Sequence, residues 1–239
     1  MTEFDNGPKR TTIQGASVAL RMIRKVKANI KSDPRETIEG KVRRLCTLEV
    51  PDLDPGLTSI RPYSSRWPEL FVEERERITS VLAPRVGPVH VEHIGSTSIP
   101  GLDGKPIIDL LIGVSPASDI ERAATTLEEL SYQAYGLSPC DPEVSWLWRI
   151  IPDEHAFIVH LCVGTNPWIS TAVNFRDYLR VHPEAKATYE ARKHELADEG
   201  NRSLFEYSME KLILFYKLSE EANDWVSTRR ESRASAQRG

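Results

Sequence analysis

The chain of 239 residues is 40% hydrophobic and 28% charged, and no stretch approaches the roughly 20 consecutive apolar residues of a membrane-spanning helix. Its formal net charge of −4 argues against a whole basic face that holds nucleic acid. The three cysteines are odd in number and far apart, which favours reduced thiols over a disulfide framework. We therefore expect a soluble cytoplasmic protein.

The first 57 residues differ in charge from the rest of the chain. Residues 1–50 contain 11 Lys and Arg against 6 Asp and Glu, which leaves 20 against 29 for the remainder. Apolar residues spaced by four predict a basic helix over Ala16–Ile30, followed by a Pro- and Gly-containing linker that ends near Gly56. This helix is either a solvated or packed face, or a docking element for an acidic partner or membrane surface.

Hydrophobic periodicity predicts a domain over residues 58–225. It predicts five helices, over Trp67–Leu82, Asp119–Ser131, Ile169–His182, Glu184–Ala197 and Leu204–Ser219. It predicts four strands, over Val89–Ile94, Ile107–Val114, Trp146–Ile151 and Ala156–Val163, the last two joined by a turn at Pro152. In the first helix the charges from Glu73 to Glu76 fall largely away from the apolar side. The order indicates an α+β fold, a small mixed sheet flanked by helices with C-terminal helices, and a disordered tail over 226–239.

One carboxylate, Asp109, stands inside the most apolar predicted strand. Burying an unpaired charge costs several kcal/mol, so Asp109 needs a cation, a metal or hydrogen-bond donors. Lys105 lies four residues earlier, and two roles are open for it: the ion-pair partner of Asp109, or a phosphate ligand.

A strand end runs into a Gly/Ser/Thr turn just upstream of this strand. Gly95 lets a ligand approach closely, and the backbone N–H groups and hydroxyls of Ser96 and Thr97 can bind phosphate oxygens. His93, at the strand end, is either part of this phosphate site or orients the loop through a backbone hydrogen bond.

Gly95-Ser96, then twelve residues, then an Asp on an apolar strand is the spacing of the nucleotidyltransferase superfamily. The longer string from His93 to Asp109 resembles the GrpB family (UPF0157), a nucleotidyltransferase-like group. The likeness extends over about residues 61–217. Further matching segments are Tyr63 to Trp67 with Phe71 and Glu74, His160-Leu161, Asn174 to Arg180 with Pro183, Tyr189 with Lys193, and Tyr207 with Lys211.

The resemblance implies a nucleotidyltransferase fold in which Gly-Ser holds the triphosphate of an NTP, with ATP the foremost candidate. Strand carboxylates of this superfamily hold Mg²⁺ or Mn²⁺ and usually stand two residues apart, but here the second position is Leu111. His160 is the best candidate for metal support or for the base, the alternative being an interior histidine. The family usually has a second His where this chain has Cys162.

Other polar residues can complete a phosphate site. Arg176 and Arg180 lie one helical turn apart and either clamp a phosphate or form a charged face. Lys211, four residues after Tyr207, either reaches the site or borders the core. The tryptophans Trp146, Trp148 and Trp168 are expected in the core.

The sequence thus leads to a Mg²⁺-dependent nucleotidyltransferase that moves a nucleoside monophosphate from an NTP to a hydroxyl or amine of a small acceptor. The alternative is a non-catalytic nucleotide- or phosphometabolite-binding module, as in the related domain fused to dephospho-CoA kinase. A third hypothesis is partner docking through the basic N-terminal helix. The expected catalytic and metal-binding residues are Asp109 and His160. The expected phosphate-binding residues are His93, Gly95, Ser96, Thr97, Lys105, Arg176 and Lys211.

Overall fold

The computed structural model describes residues 59–137, 143–198 and 204–236. The basic helix and linker expected over residues 1–57 lie outside the described residues, as does the side chain of Tyr207. No helix in the described part of the chain combines the length and apolar character that crossing a membrane requires.

The periodic segments form the elements that their patterns predict. The described helices are α1 (Arg66–Val86), α2 (Ile120–Glu129), α3 (Pro167–Val181), α4 (Pro183–Asp198) and α5 (Leu204–Ala236). The described strands are β1 (His90–Ile94), β2 (Ile107–Val114), β3 (Gln133–Leu137), β4 (Ser145–Ile151) and β5 (His155–Val163). The sequence pattern does not predict β3, a short strand that pairs only with β4 and whose register shifts between Ala134 and Gly136.

The five strands form one mixed sheet in the order β1-β2-β5-β4-β3. The central strands β2 and β5 run parallel, and the other neighbouring pairs are antiparallel. Asp109 lies in β2 opposite Ile94 of β1 and Ile158 of β5, and the next residue on its face, Leu111, pairs with His160. The sheet therefore places the expected catalytic residues on adjacent strands and the same face.

Helices cover both faces of β2, which explains why this strand is apolar throughout. Ile108, Leu110 and Ile112 pack in the main core with residues of α1 and α2. Leu111, on the opposite face, packs with Trp168 and other residues of α3. Asp109 shares the second face, because side chains alternate along a strand.

Glu74 of α1 corrects an expectation of the sequence analysis. Although its charge suggests the polar side of the helix, only 3% of Glu74 is exposed. It stands seven residues after Trp67, two helical turns on, and therefore on the buried side. Its carboxylate accepts hydrogen bonds from Arg149 Nη2 at 2.5 Å, Tyr132 Oη at 2.8 Å and Arg77 Nε at 3.1 Å. These donors stabilise a buried charge that helical periodicity alone does not reveal.

The C-terminal helix also differs from expectation, since α5 continues to Ala236 through most of the segment expected to be disordered. Local contacts support the extension. The guanidinium of Arg229 lies 5.0 Å from the ring centroid of Trp225, and Ser227 donates a hydrogen bond to the carbonyl of Asn223. The Arg- and Ser-rich composition suggested disorder. The contacts named above are made between residues of the helix itself, so they do not require a large apolar face.

Candidate functional site

The Gly95–Ser96 loop lies directly against the carboxylate of Asp109. Gly95 has φ of 72°, in the region that favours glycine, and a Cβ there would overlap Oδ2 of Asp109 and lie 2.9 Å from its Cγ. About a fifth of the Asp109 side chain is exposed. The sequence predicts that Gly95 lets another group approach closely. In the structure this group is the carboxylate of Asp109.

His160 holds the other oxygen of this carboxylate. Its Nε2 lies 3.0 Å from Oδ1 of Asp109, and Nδ1 accepts a hydrogen bond of 2.9 Å from the indole Nε1 of Trp146. An indole N–H can only donate, so Nδ1 carries the lone pair and the ring proton sits on Nε2, facing Asp109. Both ring nitrogens are therefore engaged, and His160 positions Asp109 as a hydrogen-bond donor.

We predict that in Trp146→Phe the His160 ring is no longer held in a single tautomer. Losing the indole donor leaves Nδ1 without a partner, so the variant should be about 1 kcal/mol less stable and populate both ring tautomers. Long-range ¹H–¹⁵N NMR of the imidazole measures the tautomer. Trp168→Phe is the control, because Nε1 of Trp168 has no hydrogen-bond partner among the described residues. A wild-type ring protonated on Nδ1 would contradict the assignment.

Cys162 follows His160 on the same face of β5 but belongs to an apolar cluster. It is fully buried and packs with Leu111, Trp168 and Ala172. Its surroundings are those of a small core side chain.

The hydroxyls of the loop divide into two kinds. Thr97 Oγ1 donates to the carbonyl of Ile107 at 2.9 Å, and Ser98 Oγ donates to the carbonyl of Gly95 at 2.6 Å. Ser96 is partly exposed, and its hydroxyl makes no hydrogen bond to the described residues. Ser96 is therefore the loop hydroxyl that remains available to a ligand.

His93 maintains the shape of the loop through Thr97. Because the Thr97 hydroxyl already donates to a carbonyl, Nε2 of His93, 3.1 Å away, must be the donor to Thr97 Oγ1. The imidazole is buried and stacks on Phe71 with ring centroids 4.6 Å apart. Burial, with the nearby charges of Arg180 and Arg176, lowers the pKa of His93 to about 3. A neutral His93 thus orients the loop through a side chain, where the sequence suggested a backbone bond.

The two arginines of α3 hold the ends of the same loop. Arg176 Nη1 donates to the carbonyl of His93 at 3.0 Å and to Oε2 of Glu92 at 2.6 Å. Arg180 donates to the carbonyl of Ser98 through Nε at 3.1 Å and Nη2 at 2.7 Å. In this structure the arginine pair clamps backbone and Glu92.

Three lysines from separate segments converge beside the loop. Lys105 precedes β2, Lys193 belongs to α4 and Lys211 to α5, and the ammonium groups of the last two lie 5.7 Å and 6.0 Å from the ring centroid of Tyr189. Burial lowers the pKa of Lys105 and of Lys193 to about 7 each, and repulsion within the group contributes. We call Lys105, Lys193 and Lys211 the lysine cluster.

Nε2 of His160 lies 3.0 Å from Oδ1 of Asp109, and the role of Lys105, as ion-pair partner of Asp109 or as phosphate ligand, stays a prediction. Lys193 is absent from the expected site residues, although it falls within the segments that match the GrpB family. Its position on a charged helix gave no sign that only 1% of it would be exposed.

The lysine cluster makes stability depend on pH. Between about pH 7 and about pH 10 the unfolded lysines bind protons that folded Lys105 and Lys193 do not, so the free energy of unfolding should rise with pH. Urea unfolding across this range measures the slope. Lys193→Met should flatten it, whereas Lys217→Met, at an exposed site of α5, should not. A wild-type slope unchanged by Lys193→Met would contradict the shift.

Carboxylates also lie near Lys193. Its ammonium donates to the carbonyl of Asp103, and Glu190 Oε1 accepts the Asp103 N–H at 2.8 Å. Among the described residues, one group of three side chains has ligand atoms close enough together to hold a metal ion, and it consists of Asp103, Glu190 and His194. Oδ1 of Asp103 accepts the N–H of Tyr63 at 3.2 Å. These carboxylates partly neutralise Lys193, and Asp109 is not among them.

A Gly-Ser loop closed against a strand carboxylate, on a small mixed sheet flanked by helices, defines an α+β domain, the fold class expected from the sequence. Residues 58–221 match the family model of the GrpB protein, and the chain belongs to the GrpB family.

Relatives support this membership. A UPF0157 protein of Halalkalibacterium halodurans is 32% identical over 203 residues, 83% of this chain and 97% of that protein. A UPF0157 protein of Pseudomonas aeruginosa is 36% identical over 145 residues, 60% of this chain and 59% of that protein. The crystal structure of conserved protein GrpB from Enterococcus faecalis has a TM-score of 0.58 and 32% identity, covering 69% of this chain and 96% of that one. The chain thus spans about three fifths of the Pseudomonas relative and nearly all of the other two.

Proposed function

We propose that this protein binds a nucleotide, or another phosphorylated small molecule, with a phosphate at the Gly95–Ser96 loop. The observation that carries the proposal is the division of the loop hydroxyls. Thr97 and Ser98 are bonded within the protein, and Ser96 is left for a ligand. Phosphate oxygens are strong acceptors for such a donor, and the neighbouring lysine cluster supplies positive charge.

Divalent metal was expected at Asp109 and His160, and the residues there do not build a metal site by themselves. Oδ1 of Asp109 is bonded to His160, and Nε2 of His160 would have to lose its proton to become a ligand. Glu92, on the same face, is bonded to Arg176 and His90. One carboxylate oxygen, Oδ2 of Asp109, therefore remains available. A single oxygen provides too few ligands to hold Mg²⁺ or Mn²⁺.

Nucleotidyl transfer is the second candidate, favoured by the position of Oδ2 of Asp109 beside the loop. An acceptor hydroxyl oxygen or amine nitrogen would attack the α-phosphorus of an NTP and form the new bond to phosphorus. The bond from phosphorus to the bridging oxygen breaks, and diphosphate leaves with that electron pair. The acceptor proton passes to Oδ2 of Asp109, whose orientation is fixed by the Nε2–H of His160.

Calorimetric titration with ATP, and then with the other NTPs and phosphorylated metabolites, tests binding. Ser96→Ala should weaken affinity by about tenfold, the value of one hydrogen bond to a charged group. Ser170→Ala, which removes an exposed hydroxyl from the start of α3, should leave affinity unchanged. A folded protein that binds none of these ligands would overturn the proposal.

A turnover measurement distinguishes nucleotide binding alone from nucleotidyl transfer. With α-labelled NTP and a panel of hydroxyl and amine acceptors, a transferase gives labelled product that Asp109→Asn abolishes while nucleotide binding persists. A binding module gives nucleotide binding with no product in the wild type.

A further inference from the structure

We propose that the side chains of Asp103, Glu190 and His194 form a binding site for one divalent transition-metal ion such as Zn²⁺. The site lies between α4 and the loop that precedes β2, and it does not depend on the proposed function. Its ligands are different from Asp109 and His160, where the sequence analysis expected a metal.

The first argument is the kind of ligand. The three side chains offer one imidazole nitrogen and two carboxylate oxygens. Imidazole suits Zn²⁺ and other late first-row ions, whereas Mg²⁺ and Ca²⁺ are bound through oxygen. The nitrogen of His194 therefore distinguishes this group from a purely acidic surface cluster and favours a transition metal.

The second argument is the spacing of the ligand atoms. All three lie within 4.8 Å of one another, and Nε2 of His194 is 3.4 Å from Oδ2 of Asp103. Two ligands bound at about 2.0 to 2.1 Å to a tetrahedral Zn²⁺ are about 3.3 to 3.4 Å apart. An ordinary N–H···O hydrogen bond is shorter, about 2.9 to 3.0 Å. Asp103 and His194 thus have the separation of two metal ligands rather than that of a hydrogen-bonded pair.

The third argument is that backbone groups already orient both carboxylates. The N–H of Tyr63 donates to Oδ1 of Asp103 at 3.2 Å, and the N–H of Asp103 donates to Oε1 of Glu190 at 2.8 Å. The other oxygen of each carboxylate accepts no hydrogen bond from the described residues. Ligating carboxylates are usually held by such outer hydrogen bonds. Glu190 and His194, four residues apart, lie on the same side of α4.

The fourth argument is access. The side chain of Asp103 is 34% exposed and that of His194 is 46% exposed, so an ion can enter from solvent and water can complete its coordination. The ammonium of Lys193 donates to the backbone carbonyl of Asp103, which leaves the carboxylate oxygens to the ion. Its positive charge opposes the ion, and we therefore expect micromolar rather than nanomolar affinity.

Calorimetric titration of the metal-free full chain with Zn²⁺ tests the proposal. We expect saturable binding of one ion at this site. His194→Gln removes the nitrogen ligand and should weaken this binding by at least about tenfold. Glu195→Gln is the matched control on α4, because Glu195 is exposed and pairs with Arg192, and it should change affinity by less than about twofold.

Two further measurements report on the ligands themselves. Long-range ¹H–¹⁵N NMR should show a shift of the Nε2 signal of His194 when Zn²⁺ is added. Since the ion joins α4 to the loop before β2 only in the folded protein, saturating Zn²⁺ should raise the Tm of the wild type. The same concentration should raise the Tm of His194→Gln less.

Several results would overturn the proposal. They are Zn²⁺ binding that His194→Gln leaves unchanged, an unshifted His194 signal at saturation, and no saturable binding below roughly 1 mM Zn²⁺. Equal affinity for Zn²⁺ and Mg²⁺ would also overturn it, because oxygen ligands alone would explain that result. Circular dichroism checks the fold of each variant, and Asp103→Asn replaces His194→Gln if the latter does not fold. These experiments contain no nucleotide, so their outcome leaves the proposed function untouched.

Discussion

Replacing Gly95 with Ala is expected to abolish ligand binding at the loop and to lower the free energy of unfolding by roughly 2 to 4 kcal/mol. Gly95 has φ of 72° and ψ of −176°, a backbone conformation that is almost confined to glycine. The new Cβ would also overlap Oδ2 of Asp109. The loop or the carboxylate must then move, and with it the Nε2–H bond from His160. Calorimetric titration and urea unfolding measure the two effects.

Gly87 provides a matched control for this substitution. Its φ of 76° and ψ of −170° nearly equal those of Gly95, but a Cβ there would meet nothing within 4 Å. Gly87→Ala therefore reports the backbone strain alone, and the additional loss in Gly95→Ala reports the overlap with Asp109. Equal losses in the two variants, with ligand binding intact, would show that the loop and carboxylate are not packed as described.

Replacing Glu74 with Gln is expected to lower the free energy of unfolding by about 3 kcal/mol without changing ligand affinity. The substitution keeps the side-chain shape but removes the charge that neutralises Arg149 and Arg77. Arg149 lies among apolar groups, with its guanidinium 4.5 Å from the ring centroid of Phe157, and cannot regain full hydration. Chemical unfolding measures the stability, and titration below the unfolding temperature measures the affinity.

Glu73 is the matched control on the same helix. It pairs with Arg66, and both side chains are more than half exposed, so Glu73→Gln should change stability by less than about 0.5 kcal/mol. The Glu74 carboxylate packs on the α1 and α2 side of the sheet, opposite Asp109, which is why affinity should not follow stability. Similar effects of the two substitutions would argue against a buried ion-pair network.

The strands and helices were largely predictable because their apolar periodicity reflects burial on one or both sides. The run from Ile107 to Val114 is an eight-residue strand covered on both faces, as its composition indicates. The strand β3 was missed because a short edge strand with a Gly has little pattern of its own. The burial of Glu74 was missed because its partners Tyr132 and Arg149 lie 58 and 75 residues away.

The candidate site was predictable to a similar degree. The contact between Gly95 and Asp109 follows from local chain geometry, since β1 and β2 are consecutive antiparallel strands and Ile94, the residue before Gly95, pairs with Asp109. The contacts of the neighbouring residues could not be predicted from the sequence. Arg176 and His93 were expected to bind phosphate, but their side chains are engaged with the loop and Glu92.

The sequence by itself determined a mixed α+β domain of the GrpB family and a Gly-Ser loop placed against one strand carboxylate. These features depend on neighbours along the chain or on an apolar pattern that any packed arrangement must satisfy. Tertiary structure alone decided that Trp146 fixes the His160 ring, that α3 holds the loop, and that Lys193 and Lys211 meet beside Tyr189. Such contacts join distant segments, and their charges and hydrogen bonds exist only once the sheet and helices have packed.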